Sequence, residues 1–336
     1  MTRGDSIRGL LGRRDLLILG TGAFVVAAVP LAARRERLVR RTVPVMGTVA
    51  EIAVVHADVA MAHQAIDAAL AELVQVDRTM TRFDASSEIG RANALAGHRP
   101  ARVSATTASV LREAIAWAEA TEGAFDPCLG CASDLWDVAK RTSPPPAADV
   151  RRLAGRRLYR ALDVESSGGT AVVRIASRDA AIDLGGIAKG HGVDRAVEVL
   201  RTRGILRAFV NAGGDLYAMG EAERGEPWTV GIQSPDDPGR IIETVSLRDA
   251  AVATSGDYMQ FFVHAGRRYH HLLDPVSAEP RQTAVRSVTV QASTCTAADA
   301  AATAVYGMAP DAAARVLRHR APGSRIVRVI GTTTTV

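Results

Sequence analysis

The sequence predicts an α+β fold with mixed β-sheets and flanking helices. Two observations favour it: short β-rich runs intermix with amphipathic helical periodicity, and several strand-to-strand steps have no helix between them. A third removes the main competitors. The glycine-dense stretch AIDLGGIAKGHGVD (181–194) lacks the Gly-Lys-Ser/Thr of a P-loop and the G-x-G-x-x-G register of a Rossmann turn. Gly20-Thr-Gly22 falls in an N-terminal apolar run and carries no such meaning. The chain is read as an N-terminal segment, 1–40, and one domain, 41–336.

The elements follow in order. Residues 49–55 are β-rich. Asp58 can cap a helix whose apolar residues Ile66, Ala69, Leu70, Leu73, Val76 and Met80 recur at three and four. Residues 81–93 read as a polar loop or a short turn of helix. Ser104 can cap a second helix ending near Gly123. Residues 123–127 form a loop, Pro144-Pro145-Pro146 is a break, and a short helix covers 149–153. Strands are expected at 171–175, 180–184, 208–210, 228–233, 243–247, 287–291 and 326–330. Helices are expected after the glycine turn to Gly204 and over 297–308 and 311–317. Residues 261–273 read as a hairpin turning at Ala265-Gly266.

The charge is informative by where it sits. The whole chain is +5, and residues 1–40 alone hold eight arginines against three acids, so residues 41–336 are formally neutral. With 4% aromatic residues, that body has neither the field nor the stacking platform of a nucleic-acid binder. Arg13-Arg14 opens an uncharged run, 16–33, which resembles a twin-arginine export signal. Leu31 is larger than a signal cleavage site prefers, so cleavage and retention as a membrane anchor both stay open. The expected location is periplasmic or otherwise extracytoplasmic. Cys128 and Cys131 have CxxC spacing without a thioredoxin pattern around them, and they read as small semi-buried residues, free or oxidised; Cys295 reads as a buried small hydrophobe.

Three groups of residues suggest chemistry. The glycine turn brings Asp183 and Lys189, one of only two lysines, close to exposed backbone amides and carbonyls. Asp299 and Thr303 share one face of a helix, which suits either a hard cation or ordinary helix packing. His271, before Asp274-Pro275, is either a base or a hairpin-end histidine satisfied by backbone, and His270 should face the other way.

Eight motifs then occur in one order: Met46-Gly-Thr48, MTRFDASSEIGRAN (80–93), GAFDP (123–127), DLGGIAKGHGVD (183–194), NAGGD (211–215), TSGDY (254–258), HLLDP (271–275) and ADAAAT (298–303). Together they resemble the FAD:protein FMN transferase family, also called ApbE. The resemblance implies a magnesium-dependent enzyme that moves the FMN half of FAD to a threonine or serine hydroxyl of an acceptor protein and releases AMP. It implies metal ligation by the Gly186 main chain, Asp299 and Thr303. It implies flavin-nucleotide contacts from Met46, Phe83, Ala124, Phe125, Asp126, Asp183 and Lys189, with His271 as the base. The acceptor would be a flavoprotein of an exported or membrane electron-transport complex, such as a sodium pump or a membrane flavoprotein of nitrous-oxide respiration. The competing readings are a magnesium-dependent FAD pyrophosphatase and a non-catalytic flavin carrier or assembly factor. Cys128 replaces the family's usual threonine, Phe83 a common tyrosine, and Ser277-Ala278-Glu279 a usual Thr-Gly.

Overall fold

A computed structural model describes residues 24–26, 36–167, 169–222, 225–237 and 239–331. Its helices are α1 (Val59–Met80), α2 (Glu88–Ala94), α3 (Ala105–Ala120), α4 (Gly130–Trp136), α5 (Ala147–Leu153), α6 (Ala188–Thr202), α7 (Cys295–Val305) and α8 (Pro310–Arg320). The chain divides into two compact units, residues 1–74 with 193–251, and residues 75–192 with 252–336. The expected mixture of strands and helices is what the structure contains, with antiparallel pairing in its named ladders.

In the first unit, Thr48–His56 pairs with Arg37–Val45 on one side and Ala208–Ala212 on the other, and Asp215–Met219 follows. A separate ladder joins Phe24–Val26, Trp228–Gln233 and Ile241–Leu247. The Asp58 carboxylate accepts from the Ala60 and Met61 amides at 2.9 and 3.0 Å, so the expected cap starts α1. Along α1, every apolar residue of the expected stripe is buried. Apart from Phe24–Val26, the run 16–33 and its arginine pair lie outside the described residues. Among the described residues, no helix is long and apolar enough to cross a membrane.

The second unit holds a three-stranded sheet of Ala101–Ser104, Thr170–Ile175 and Leu162–Ser167, with α3 beside it. Ser104 caps α3, accepting from the Thr107 amide, while the Glu88 carboxylate accepts from both the amide and the hydroxyl of Ser104. Another set of strands, Ala250–Gly256, Val285–Ala292 and Arg325–Gly331, carries α7 on its central member. The hairpin Phe261–His264/Arg267–His270 turns where expected, through Ala265 and Gly266, both at positive φ.

One face of that hairpin is sealed by aromatics. Tyr269 stacks between Trp136 of α4 and Phe262, with ring centroids 5.5 and 5.0 Å apart. The Trp136 indole donates to the Ala278 carbonyl at 2.7 Å, which ties α4 to the turn after His271.

One expectation is corrected. Residues 180–184 form no strand; only Ala181 makes a bridge, to Leu129. Their backbone groups find partners elsewhere. The Ala181 and Asp183 amides donate to the Cys128 and Pro127 carbonyls, and the Asn93 side chain both donates to and accepts from Ile182. An amide side chain and a loop therefore replace the ladder. For residues 81–93 the helical alternative holds in part: α2 starts there, capped by Ser87, whose hydroxyl accepts from the Gly90 amide at 2.8 Å.

Replacing Trp136 with alanine should cost about 3–5 kcal/mol of stability from lost aromatic burial. Trp136→Phe, which keeps a ring and loses the Ala278 bond, should cost about 1–2 kcal/mol. Urea denaturation of the two variants checks both values and their order.

Candidate active site

The glycine turn ends in the first turn of α6, because the helix begins at Ala188; Lys189 is thus a helical residue and not part of the loop. That placement aims its ammonium back over the turn. It donates to the Gly185 carbonyl at 3.1 Å and to both oxygens of Asp299 at 3.2 and 3.3 Å. Asp299 is 3% exposed and also accepts from the Gly190 amide at 3.0 Å. A buried carboxylate requires such pairing.

Gly190 makes this arrangement possible. A Cβ there would overlap the Cys295 carbonyl oxygen and lie 2.9 Å from Asp299 Cβ. The start of α6 therefore rests directly on α7. Gly186 is comparably close to α7, since a Cβ on it would lie 3.0 Å from Thr303 Oγ1. Thr294 caps α7, accepting from the Ala297 amide at 3.2 Å, and Asp299 and Thr303 then fall on one face, as the four-residue spacing requires. Ser255 Oγ lies 3.2 Å from Thr303 Oγ1. Ser255 belongs to a motif visible in the sequence, yet spacing alone offered no reason to place it beside Thr303.

Gly186, Asp299 and Thr303 bring a backbone segment, a carboxylate and a hydroxyl together. Their donors are all oxygens, which suits a small hard divalent cation. Among the described residues, no three His, Cys, Asp or Glu gather as a metal cluster. A cation here would thus depend on neutral oxygens beside one carboxylate.

Asp183 sits at the other end of the turn. One of its oxygens accepts from the Gly185 amide at 3.0 Å, and the other pairs with Arg82 Nε at 3.1 Å. The Arg82 guanidinium also lies 4.3 Å from the centroid of the Phe83 ring, which is 82% exposed. An exposed aromatic face with a cation on it is a stacking surface.

The GAFDP loop contributes differently. Phe125 is buried, so its ring serves the core. Asp126 accepts from the Cys128 amide at 2.9 Å and the Tyr159 amide at 3.1 Å, which fixes the loop. Burial nevertheless raises its pKa to about 6, against the lowering effect of those bonds. Cys128 and Cys295 are buried, and Cys131 is half-buried.

His270 and His271 face opposite ways, as alternation predicts. His270 is buried, with Nε2 at 3.0 Å from the Arg281 carbonyl. His271 is exposed, and its amide donates to the Gln260 carbonyl at 3.2 Å. The protein packed around its ring lowers its pKa, and the charges of His270 and Lys189 add to this. The Gln260 carbonyl and Asp183 oppose it. Solvent contact weakens the desolvation without reversing it, so the imidazole is neutral at pH 7. Interaction with both Lys189 and Asp183 associates His271 with the glycine turn.

The second unit thus contains Phe83, Ala124, Phe125, Asp126, Asp183, Gly186, Lys189, His271, Asp299 and Thr303. Met46 is in the first unit, at positive φ in the tight turn between its first two long strands.

Comparison with known proteins gives the family of the chain. The ApbE family pattern matches residues 46–327. A Treponema pallidum protein named FAD:protein FMN transferase is 33% identical over 300 residues, covering 85% of this chain and 83% of the relative. The Thermotoga maritima ApbE crystal structure superposes with a TM-score of 0.77 at 30% identity, over 89% of this chain and 98% of that one. The Vibrio cholerae flavin transferase ApbE gives a TM-score of 0.71 at 31% identity, over 84% and 91%. The chain belongs to the ApbE family.

Gly190→Ala should separate α6 from α7 at Asp299 and cost about 1–3 kcal/mol through overpacking. Thermal melting measures the loss, and a crystal structure of the variant should show the Gly190–Asp299 bond broken.

Proposed function

We propose that this chain is an FAD:protein FMN transferase that uses a divalent cation, magnesium by chemical preference, to move FMN from FAD onto a threonine or serine hydroxyl. The observation that carries the reading is the Asp299–Lys189–Gly190 cluster, with Thr303 against Gly186, in a member of a family whose relatives bear that name. The oxygens of Gly186, Asp299 and Thr303 would hold the cation, which when bound neutralises charge on the pyrophosphate. Lys189 places a second positive charge at the same point. Phe83 offers its exposed face to the flavin ring, and Asp183 contributes acceptor oxygens to the nucleotide.

In the transfer, the acceptor oxygen forms a bond to the phosphorus of the FMN half. The bond from that phosphorus to the AMP oxygen breaks, and AMP leaves with the electron pair. Neutral His271 takes the hydroxyl proton and later returns it to solvent. The exposed ring is open to an incoming chain.

Incubation with FAD, magnesium and candidate acceptors tests the reading by mass spectrometry. An acceptor heavier by one FMN, with AMP released, supports it; FMN and AMP formed equally without acceptor would instead mean a pyrophosphatase. Asp299→Ala should abolish magnesium-dependent turnover, by about a hundredfold or more. For His271, the base form is lost only as pH falls below the ordinary histidine range. The acid limb of kcat/KM should therefore lie below about 6.5 and vanish in His271→Ala.

The arginine pair at 13 and 14 supports an extracytoplasmic location and an acceptor exposed there, in a flavoprotein of an electron-transport complex. Cell fractionation of a tagged chain should find it outside the cytoplasm, and the double change R13K/R14K should retain it inside. Equal distribution of both forms would remove that reading.

A further inference from the structure

Arg281 is a cation that the reaction described above does not use. It follows the Asp274-Pro275 turn and lies largely within the protein, where the charge of Asp274 acts on it. Its guanidinium is satisfied by main-chain carbonyls from three separate places. Nε donates to Leu273 at 3.1 Å, in the segment that follows His271. Nη1 donates to Tyr306 at 2.6 Å and Thr303 at 3.5 Å, at the end of α7. Nη2 donates to Ala124, in the GAFDP loop. The Arg281 carbonyl in turn faces His270 Nε2 at 3.0 Å, and its amide donates to Leu272 at 2.9 Å.

This geometry is specific to a planar fork. The carbonyls at the end of α7 carry the negative end of the helix dipole and are among those a helix leaves unsatisfied. A guanidinium can bond several acceptors in fixed directions at once; an ammonium is a point charge and cannot hold the same set. Removing the fork would also leave partly buried carbonyls without partners.

We infer that Arg281 is a positioning residue: it holds the Thr303 end of α7, the Ala124 loop and the His271 segment in one fixed arrangement. The inference rests on the flavin-transfer reading for its catalytic meaning, but the arrangement itself can be measured without catalysis. Arg281 touches no substrate. It acts through Thr303, through the loop that begins at Ala124 and through His271, so its loss should affect cation, flavin and base together.

Arg281→Met and Arg281→Ala are the variants of choice, measured by hydrogen–deuterium exchange and by quenching of FAD fluorescence. Exchange should rise together in the peptides containing Ala124, Leu273 and Thr303, and not in the first unit. FAD affinity should fall by about tenfold and half-saturating magnesium should rise by about tenfold. Guanidinium ion at low millimolar concentration should restore FAD binding to Arg281→Ala and leave the wild type unchanged. If Arg281→Met does not fold, Arg281→Lys carries the test and should weaken FAD binding by at least about threefold despite keeping the charge.

Wild-type FAD affinity in a folded Arg281→Met overturns the inference, as does faster exchange in one segment only. A lower melting temperature with unchanged FAD and magnesium dependence would mean a structural role and also overturns it. If the wild-type protein transfers no flavin, the functional reading fails, while the exchange data still decide whether Arg281 couples the three segments.

Discussion

A single buried carboxylate organises the centre of the second unit. Asp299 is held between the Gly190 amide and the Lys189 ammonium, and both come from the first turn of α6. A charge withdrawn from water must be matched by partners, and leaving one unmatched costs more than a typical packing defect. The pairing therefore fixes three features together. Position 190 must be glycine, because α7 stands too close for a Cβ. Residue 189 must be cationic and helical, so that it reaches Asp299. The glycine turn before it must pass beside Thr303, which brings a backbone segment to a hydroxyl and a carboxylate.

The surroundings of that pairing are built from backbone polar groups that find irregular partners. Ile182 is buried and Ala181 and Asp183 are half-buried without belonging to a sheet, so their backbone groups need local partners. Asn93 answers for Ile182 through both ends of its amide, across 89 residues of sequence. The Pro127 and Cys128 carbonyls answer for Asp183 and Ala181. In this way three short motifs far apart in the chain become one wall. The hairpin that ends at His271 is attached separately, through the Trp136–Tyr269–Phe262 stack and the indole bond to Ala278.

What could be read in the sequence follows from this division. Periodic features were legible: the buried stripe of α1, the hairpin turning at Ala265-Gly266, the opposed faces of His270 and His271, and Asp299 with Thr303 on one helical face. The family was legible from ordered motifs. Residues 180–184 were misread as a strand because an apolar run looks the same whether a ladder or an asparagine satisfies its backbone. Phe125 illustrates a related limit. Sequence cannot tell an exposed ring, as that of Phe83 is, from one packed in the core. Ser255 and Arg281 were not singled out because bonds to a distant hydroxyl or to distant carbonyls leave no periodic trace. For Arg281 and Ala124 the separation is 157 residues.

Lys189 and Arg281 show why the two kinds of cation are not interchangeable here. Lysine carries a compact charge on a flexible stem, and among the contacts of Lys189 are one carboxylate and one carbonyl of the preceding turn. It can change its partner by rotating its own side chain, without displacing backbone. Arginine at 281 is committed to carbonyls on three segments, and moving it would disturb all three. The charge beside the glycine turn is therefore on the adaptable side chain, and the charge bonded to three segments is on the rigid one. Exchanging the two residue types would leave the net charge unaltered while removing both properties.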